Sequence, residues 1–146
     1  MALNQLQEII DTFQSVDEEL RLELLLDYAK KPPPLPERFH AQRDAGLHKV
    51  PECQTPVFMW VETDGQGTAH IYVDVAEEAP TVQGLLSIIV HGCEGEPAEA
   101  VTELPSDLIN QLGLGEKIRM QRHVGLTGII GRIKQQIEKA NQAQAS

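Results

Sequence analysis

Leu6, Ile9, Ile10 and Phe13 fall at i, i+3, i+4 and i+7 near the amino terminus, the spacing of one face of a short amphipathic helix. Ser15 ends that helix and starts another. SVDE, Ser15 through Glu18, has the form of a capping box, and Leu20, Leu24 and Tyr28 continue an apolar stripe on the helix that follows. The run KPPPLP, Lys31 to Pro36, cannot extend it, because proline lacks an N–H and forces its predecessor towards extended geometry. A rigid crossing loop then reaches to about Pro51. VFMWVET from Val57 and TAHIYVDV from Thr68 are rich in β-branched and aromatic residues, and DGQG, Asp64 to Gly67, separates them with a turn signal, so a hairpin is predicted. Pro80 opens a helix through GLLSIIVHG that Gly92 and Gly95 end; Pro97 and Ser106 each start a shorter helix, and Gly113 closes the second. Val124, Ile129, Ile130, Ile133 and Ile137 suit a long terminal helix.

Helices, then a hairpin, then helices again predict an α+β sandwich: a small antiparallel sheet flanked by helices that cover one of its faces. With 146 residues, 41% of them apolar, the chain is expected to close one core, in a single domain over residues 1–140 with 141–146 frayed. No apolar stretch approaches the roughly 18 uncharged residues of a membrane helix. The opening MALNQLQEII does not read as a secretory signal either, so a cytoplasmic protein is expected. Two cysteines, Cys53 and Cys93, are too few for a disulfide scaffold and in a reducing compartment are thiols.

Charge sharpens the picture. A formal net charge of −10 argues against nucleic acid, which is bound by clustered Lys and Arg. Every charged side chain from Val50 through Glu116 is Asp or Glu, while the basic residues lie at 21–49 and 117–139. Cys53 therefore sits at a charge boundary. The acidic middle reads either as a solvated face or as a surface that docks a partner.

Most catalytic templates are absent. His48, Cys53, His91 and Cys93 lack the paired spacing of a structural zinc site, since HGC leaves one residue between its two donors. His40, His70 and His123 have no partner pattern and read as surface or hydrogen-bonded histidines. There is no GxSxG, HExxH, Walker loop or dinucleotide fingerprint, and GLGEK, Gly113 to Lys117, lacks the spacing of a phosphate cradle. The cysteines remain. Cys93, beside Gly92 at the end of an apolar helix, fits inert packing. Cys53 lies in a loop between Pro51 and Pro56, ahead of a strand, where backbone rather than core filling decides position. An ordinary thiol, with a pKa of about 8.5, supplies only a few per cent of thiolate at neutral pH. Glu52 opposes ionisation of Cys53, while His48 and Lys49 favour it. Cys53 is thus poor as a stand-alone nucleophile and adequate for attacking a sulfur already activated elsewhere.

KVPECQTPVF, Lys49 to Phe58, resembles the active-site loop of the SufE family of sulfur-acceptor proteins, in which a short hydrophobic, small or proline, cysteine, glutamine, Ser or Thr pattern precedes an apolar strand. APTVQGLLSII from Ala79 is similar to the helix after that family's hairpin, EPAEAVTELPSDLINQLGL from Glu96 to its short helical passage, and IRMQRHVGLTGIIGRIKQ from Ile118 to its closing arginine, glycine and helix segment. The family often has glycine before the cysteine and a polar residue three after it; here Glu52 disfavours the thiolate and Pro56 stiffens the loop.

The resemblance implies a SufE-like fold and a function. Cys53 would accept sulfane sulfur as a persulfide from a pyridoxal-phosphate cysteine desulfurase (SufS-like), stimulate that enzyme, and pass the sulfur to an iron–sulfur scaffold (SufB-like). Arg122 matches the arginine before the late glycine and would serve desulfurase activation or docking, with His48, Lys49, Glu52 and Gln54 meeting the partner. Leu47, Val50, Val57 and Phe58 are expected to shelter the persulfide. The chain itself would bind no cofactor or metal, pyridoxal phosphate residing on the partner, and would be a monomer or weak dimer, a carrier and activator rather than a stand-alone enzyme. Two other readings stand beside this one: a thiol peroxidase or reductase using Cys53 with Cys93, and a non-catalytic adaptor.

Overall fold

A computed structural model describes residues 2–145, with side chains through Ala140. Two helices, α1 (Asn4–Ser15) and α2 (Glu18–Ala29), lead into the proline run. A 3-10 turn (Glu37–Phe39) and the short α3 (His40–Asp44) follow. The hairpin is β1 (Val57–Thr63) and β2 (Ala69–Val75). Then come α4 (Pro80–Cys93), α5 (Ala98–Val101), α6 (Leu108–Gln111) and α7 (Met120–Ala145). The expected frayed segment 141–146 lies outside the residues whose side chains are described. No helix among the described residues is long and apolar enough to cross a membrane.

The hairpin is in register from Val57 opposite Val75 to Thr63 opposite Ala69. Alternation therefore puts Val57, Met59, Ile71, Val73 and Val75 on one face, all buried, against the core formed with α1, α4 and α7. The opposite face is covered as well, by the segment that follows the proline run. Phe39 stacks on Trp60 at 4.7 Å and meets Tyr72 at 5.0 Å between ring centroids. Arg38 lies over the Phe39 ring at 4.1 Å and forks onto both carboxylate oxygens of Glu62, at 2.6 and 3.1 Å. Helices thus cover one face, as the alternation implies, and an aromatic cap covers the other.

Four local expectations give way to packing. Ser15 does not cap α2: its hydroxyl donates back to the Thr12 carbonyl of α1, and Asp17 holds the N-cap position without a side-chain bond. The α2 stripe is centred on Leu25, fully buried, while Leu20 is 48% exposed. The reason is Gly84 of α4, where a Cβ would stand 2.6 Å from the Leu25 carbonyl oxygen, so the two helices meet backbone to backbone at that point. Gly92 lies inside α4, buried against Leu6, rather than ending the helix. On α7, Ile129, Ile130, Ile133 and Ile137 are buried, but Val124 is 63% exposed.

Candidate functional site

Cys53 stands near the tip of a loop whose two ends are tied together. His48 takes a left-handed conformation, φ 63°, which turns the chain so that Lys49 bridges Phe58 beside β1. The Val50 N–H donates to the Val57 carbonyl at 2.8 Å, and the Met59 N–H to the His48 carbonyl at 3.0 Å. Pairing stops there because Pro51 and Pro56 have no N–H to continue it. Residues 51–56 are left as a projecting loop on a hydrogen-bonded stem.

The loop rests on α7, and two glycines make room for it. A Cβ at Gly125 would lie 3.4 Å from the Cys53 Sγ, and one at Gly128 only 2.7 Å from the Glu52 Cγ. Three residues apart, they share a helix face. One turn on, Arg132 donates from Nη2 and Nε to the two carboxylate oxygens of Glu52, at 2.8 and 3.2 Å. This fork holds the Glu52 carboxyl below its usual range, the hydrogen bonds from Arg132 outweighing partial burial. Both side chains remain about one-third exposed.

Beneath the loop is a cavity of about 100 Å³. Val82 and Leu85 of α4 and Leu126 and Ile129 of α7 give it apolar walls, and Arg119 and Arg122 line it near the start of α7. Cys53 is half-buried against it. Burial first, and then the charge of Glu52, push the Cys53 thiol above its ordinary pKa, so the resting side chain is a neutral thiol. Cys93 is different. It is buried at the far end of α4, eight residues or about 12 Å of helix beyond Leu85, and burial pushes its thiol up to about 12.

The structure thus brings Cys53, Gln54 and Arg122 to one cavity and turns Glu52 to Arg132. His48 and Lys49 do not line it; the His48 ring lies against Trp60 on the outer face of the sheet, centroids 5.5 Å apart. The expected shelter is also differently composed. Val50 and Val57 are core residues, Phe58 does not reach the cavity, and Leu47 is 54% exposed. Walls from α4 and α7 take their place. Gly128 and Arg132 escaped the sequence reading and Gly125 entered it only as the late glycine after Arg122, although two glycines three apart in a helical pattern, each destabilising by about 1 kcal/mol relative to alanine, signal a close approach. His40, His70 and His123 are each held by a hydrogen bond, to the Leu35 carbonyl, the Asp64 carboxylate and the Gly115 carbonyl. Among the described residues no three His, Cys, Asp or Glu side chains converge in a way that would hold a metal.

Fold and site together define a class of small α+β protein that presents one cysteine on a stem-tied loop above a cavity with apolar walls and two arginines at its edge. The chain belongs to the SufE family, described as an Fe-S metabolism associated domain, whose pattern it matches over residues 7–137. It is 31% identical over 136 residues to an uncharacterized SufE-like protein of Mycobacterium tuberculosis, covering 93% of each chain. With an uncharacterized SufE-like protein of Rhizobium meliloti it shares 30% identity over 141 residues, covering 93% of this chain and 96% of that one. The solution structure of a hypothetical protein from Thermus thermophilus superposes with a TM-score of 0.80 at 36% identity, covering 94% of this chain and 96% of that one. Family membership ties the chain to iron–sulfur metabolism.

Proposed function

We propose that this protein is a sulfur acceptor that takes sulfane sulfur from a cysteine desulfurase onto Cys53, stimulates that enzyme, and delivers the sulfur to an iron–sulfur scaffold in the cytoplasm. The observation that carries this reading is a single half-buried cysteine on a loop with a hydrogen-bonded stem, seated on α7 over a cavity with apolar walls. In the transfer, the Cys53 sulfur attacks the terminal sulfur of the desulfurase persulfide, whose S–S bond breaks. The desulfurase cysteine leaves as a thiol with the proton that Cys53 gives up, and the product is a Cys53 persulfide. No external oxidant enters. Pyridoxal phosphate belongs to the desulfurase and is not required of this chain.

Each part of the loop has a task in this scheme. The neutral resting thiol resists stray oxidation, because only the thiolate is strongly nucleophilic. The apolar walls keep a persulfide from solvent thiols. Docking lifts the loop from α7 and brings Cys53 out, Arg122 serving activation or docking. The peroxidase reading is disfavoured by the placement of Cys93, about 12 Å of helix from the cavity wall and with a thiol too weakly acidic to resolve an oxidised Cys53.

The test is intact mass after incubation with free cysteine and a desulfurase encoded by the same genome. Wild type and Cys93→Ser are expected to gain sulfur and Cys53→Ser to gain none. No gain in any sample, with the desulfurase active, would sink the acceptor reading and leave an adaptor; gain in Cys53→Ser would move the chemistry to another residue.

A further inference from the structure

Arg122 is the anomaly of the cavity. Its Nη1 is buried and, among the described residues, has no hydrogen-bond partner. Leaving a buried donor unpaired costs about 1–3 kcal/mol, and the guanidinium, part-buried as a whole, carries its charge to the cavity wall with no counter-charge beside it. The protein supplies none there. Arg119 and Arg122 both line the cavity and no carboxylate does; Glu52, the adjoining acid, has both oxygens engaged by Arg132. Neither arginine forms an ion pair among the described residues, in a chain whose formal net charge is −10.

The anion is not the resting thiol. The influences on Cys53 are burial and Glu52, both of which keep it protonated, and neither arginine is among them. The charged groups near the thiol are Glu52 from its own loop and Arg119 and Arg122 from the start of α7; α4 offers only Val82 and Leu85. A persulfide differs from the thiol in two ways that matter here. Its terminal sulfur lies about 2 Å beyond Sγ, in space the thiol does not fill. It is also the stronger acid, because the negative charge is shared with the adjacent sulfur.

We propose that the cavity is an anion site for the terminal sulfur of a Cys53 persulfide, with the Arg122 guanidinium as its counter-charge. This rests on the acceptor reading and says what the loaded state looks like. Apolar walls strengthen the attraction by lowering the local dielectric. The site therefore separates empty carrier from loaded carrier by charge: a neutral thiol leaves Arg122 unpaired, and a persulfide anion pairs with it. Loading tightens the closed loop, which keeps the sulfur in place until a partner draws the loop away.

The experiment loads the protein without a desulfurase. Cys53 is converted to a mixed disulfide with an aromatic thiol, and hydrosulfide then attacks the Cys53 sulfur, breaking the S–S bond and expelling the aromatic thiolate to leave the persulfide. Gain of one sulfur at Cys53 is verified by mass and peptide mapping. The ultraviolet absorbance of the persulfide anion is then followed against pH in wild type, Arg122→Gln and Arg122→Lys. The midpoint is expected to rise by about one unit in Arg122→Gln, a tenfold loss of anion below the midpoint, and to recover in part in Arg122→Lys, while the unloaded thiol titrates alike in all three. Identical persulfide midpoints in wild type and Arg122→Gln, or a thiol that moves as far as the persulfide, would overturn the anion site. Failure of enzymatic sulfur uptake would sink the acceptor reading and leave this titration standing, so the two failures are distinguishable.

Discussion

Both cysteines are held as neutral thiols by burial, yet only one can leave that condition. Cys93 ends α4, a helix whose inner face is part of the core, so exposing it means taking the core apart. Cys53 is half-buried where its own loop rests on α7, a seat made by two glycines and one partly exposed ion pair. The lesson is that a raised pKa does not by itself mark a thiol as structural. What separates the two is how much of the fold must move before the environment changes.

The largest effect that tests this contrast is in chemical modification. In the folded protein at neutral pH, iodoacetamide should label Cys53 at least about a thousandfold faster than Cys93, with the difference collapsing in strong urea, where both become ordinary thiols. Peptide mapping over time checks it, and comparable labelling of both in the folded state would break the comparison. The next effect is alkaline stability. Burial raises Cys93 to about 12, so the folded state holds its proton where the unfolded state has lost it. Its contribution is complete below about pH 9 and is lost as pH rises towards 12. Urea unfolding at pH 7 and pH 10 should show the stability difference between wild type and Cys93→Ala shrinking by about 1 kcal/mol at the higher pH.

Smaller effects are expected at the loop. Gly128→Val places a branched side chain where Glu52 lies and should raise the labelling rate of Cys53 about tenfold, leaving Cys93 protected. An unchanged rate would mean that the loop is not held by its seat on α7. Arg132→Gln removes the ion pair alone. Since the pair is about one-third exposed, its loss should lower stability by less than about 1 kcal/mol and raise the Cys53 labelling rate only two- to fivefold. Hydrogen exchange in residues 46–56, measured with and without desulfurase, should show lower protection in the complex, and identical protection would argue against opening on docking.

How far these features could be read from sequence depends on their range. The hairpin and α4 follow from local pattern: alternation, a DG turn, proline at a helix start. The position of Cys53 in a loop followed from two prolines that cannot join a ladder. Leu25, by contrast, is the buried anchor of α2 only because Gly84 lies opposite, a fact of helix pairing that no single helix pattern contains. The same holds at the site. Only resemblance points to Arg122, and Val82, Leu85 and Arg132 belong to elements whose distance in sequence from Cys53 hides that they meet its loop.

The stem of the loop sets a leash. Val50 and Val57 are tied by a backbone hydrogen bond, and Cys53 is the third residue past the first of them, so with the stem intact it travels no farther than about 10 Å, three residues of extended chain. If Cys53 carries sulfur as proposed, its donor and acceptor must each come within reach of that radius about the stem. A tether this short confines the thiol to a small volume even when the loop leaves α7, so a partner that engages the stem meets Cys53 at a high local concentration.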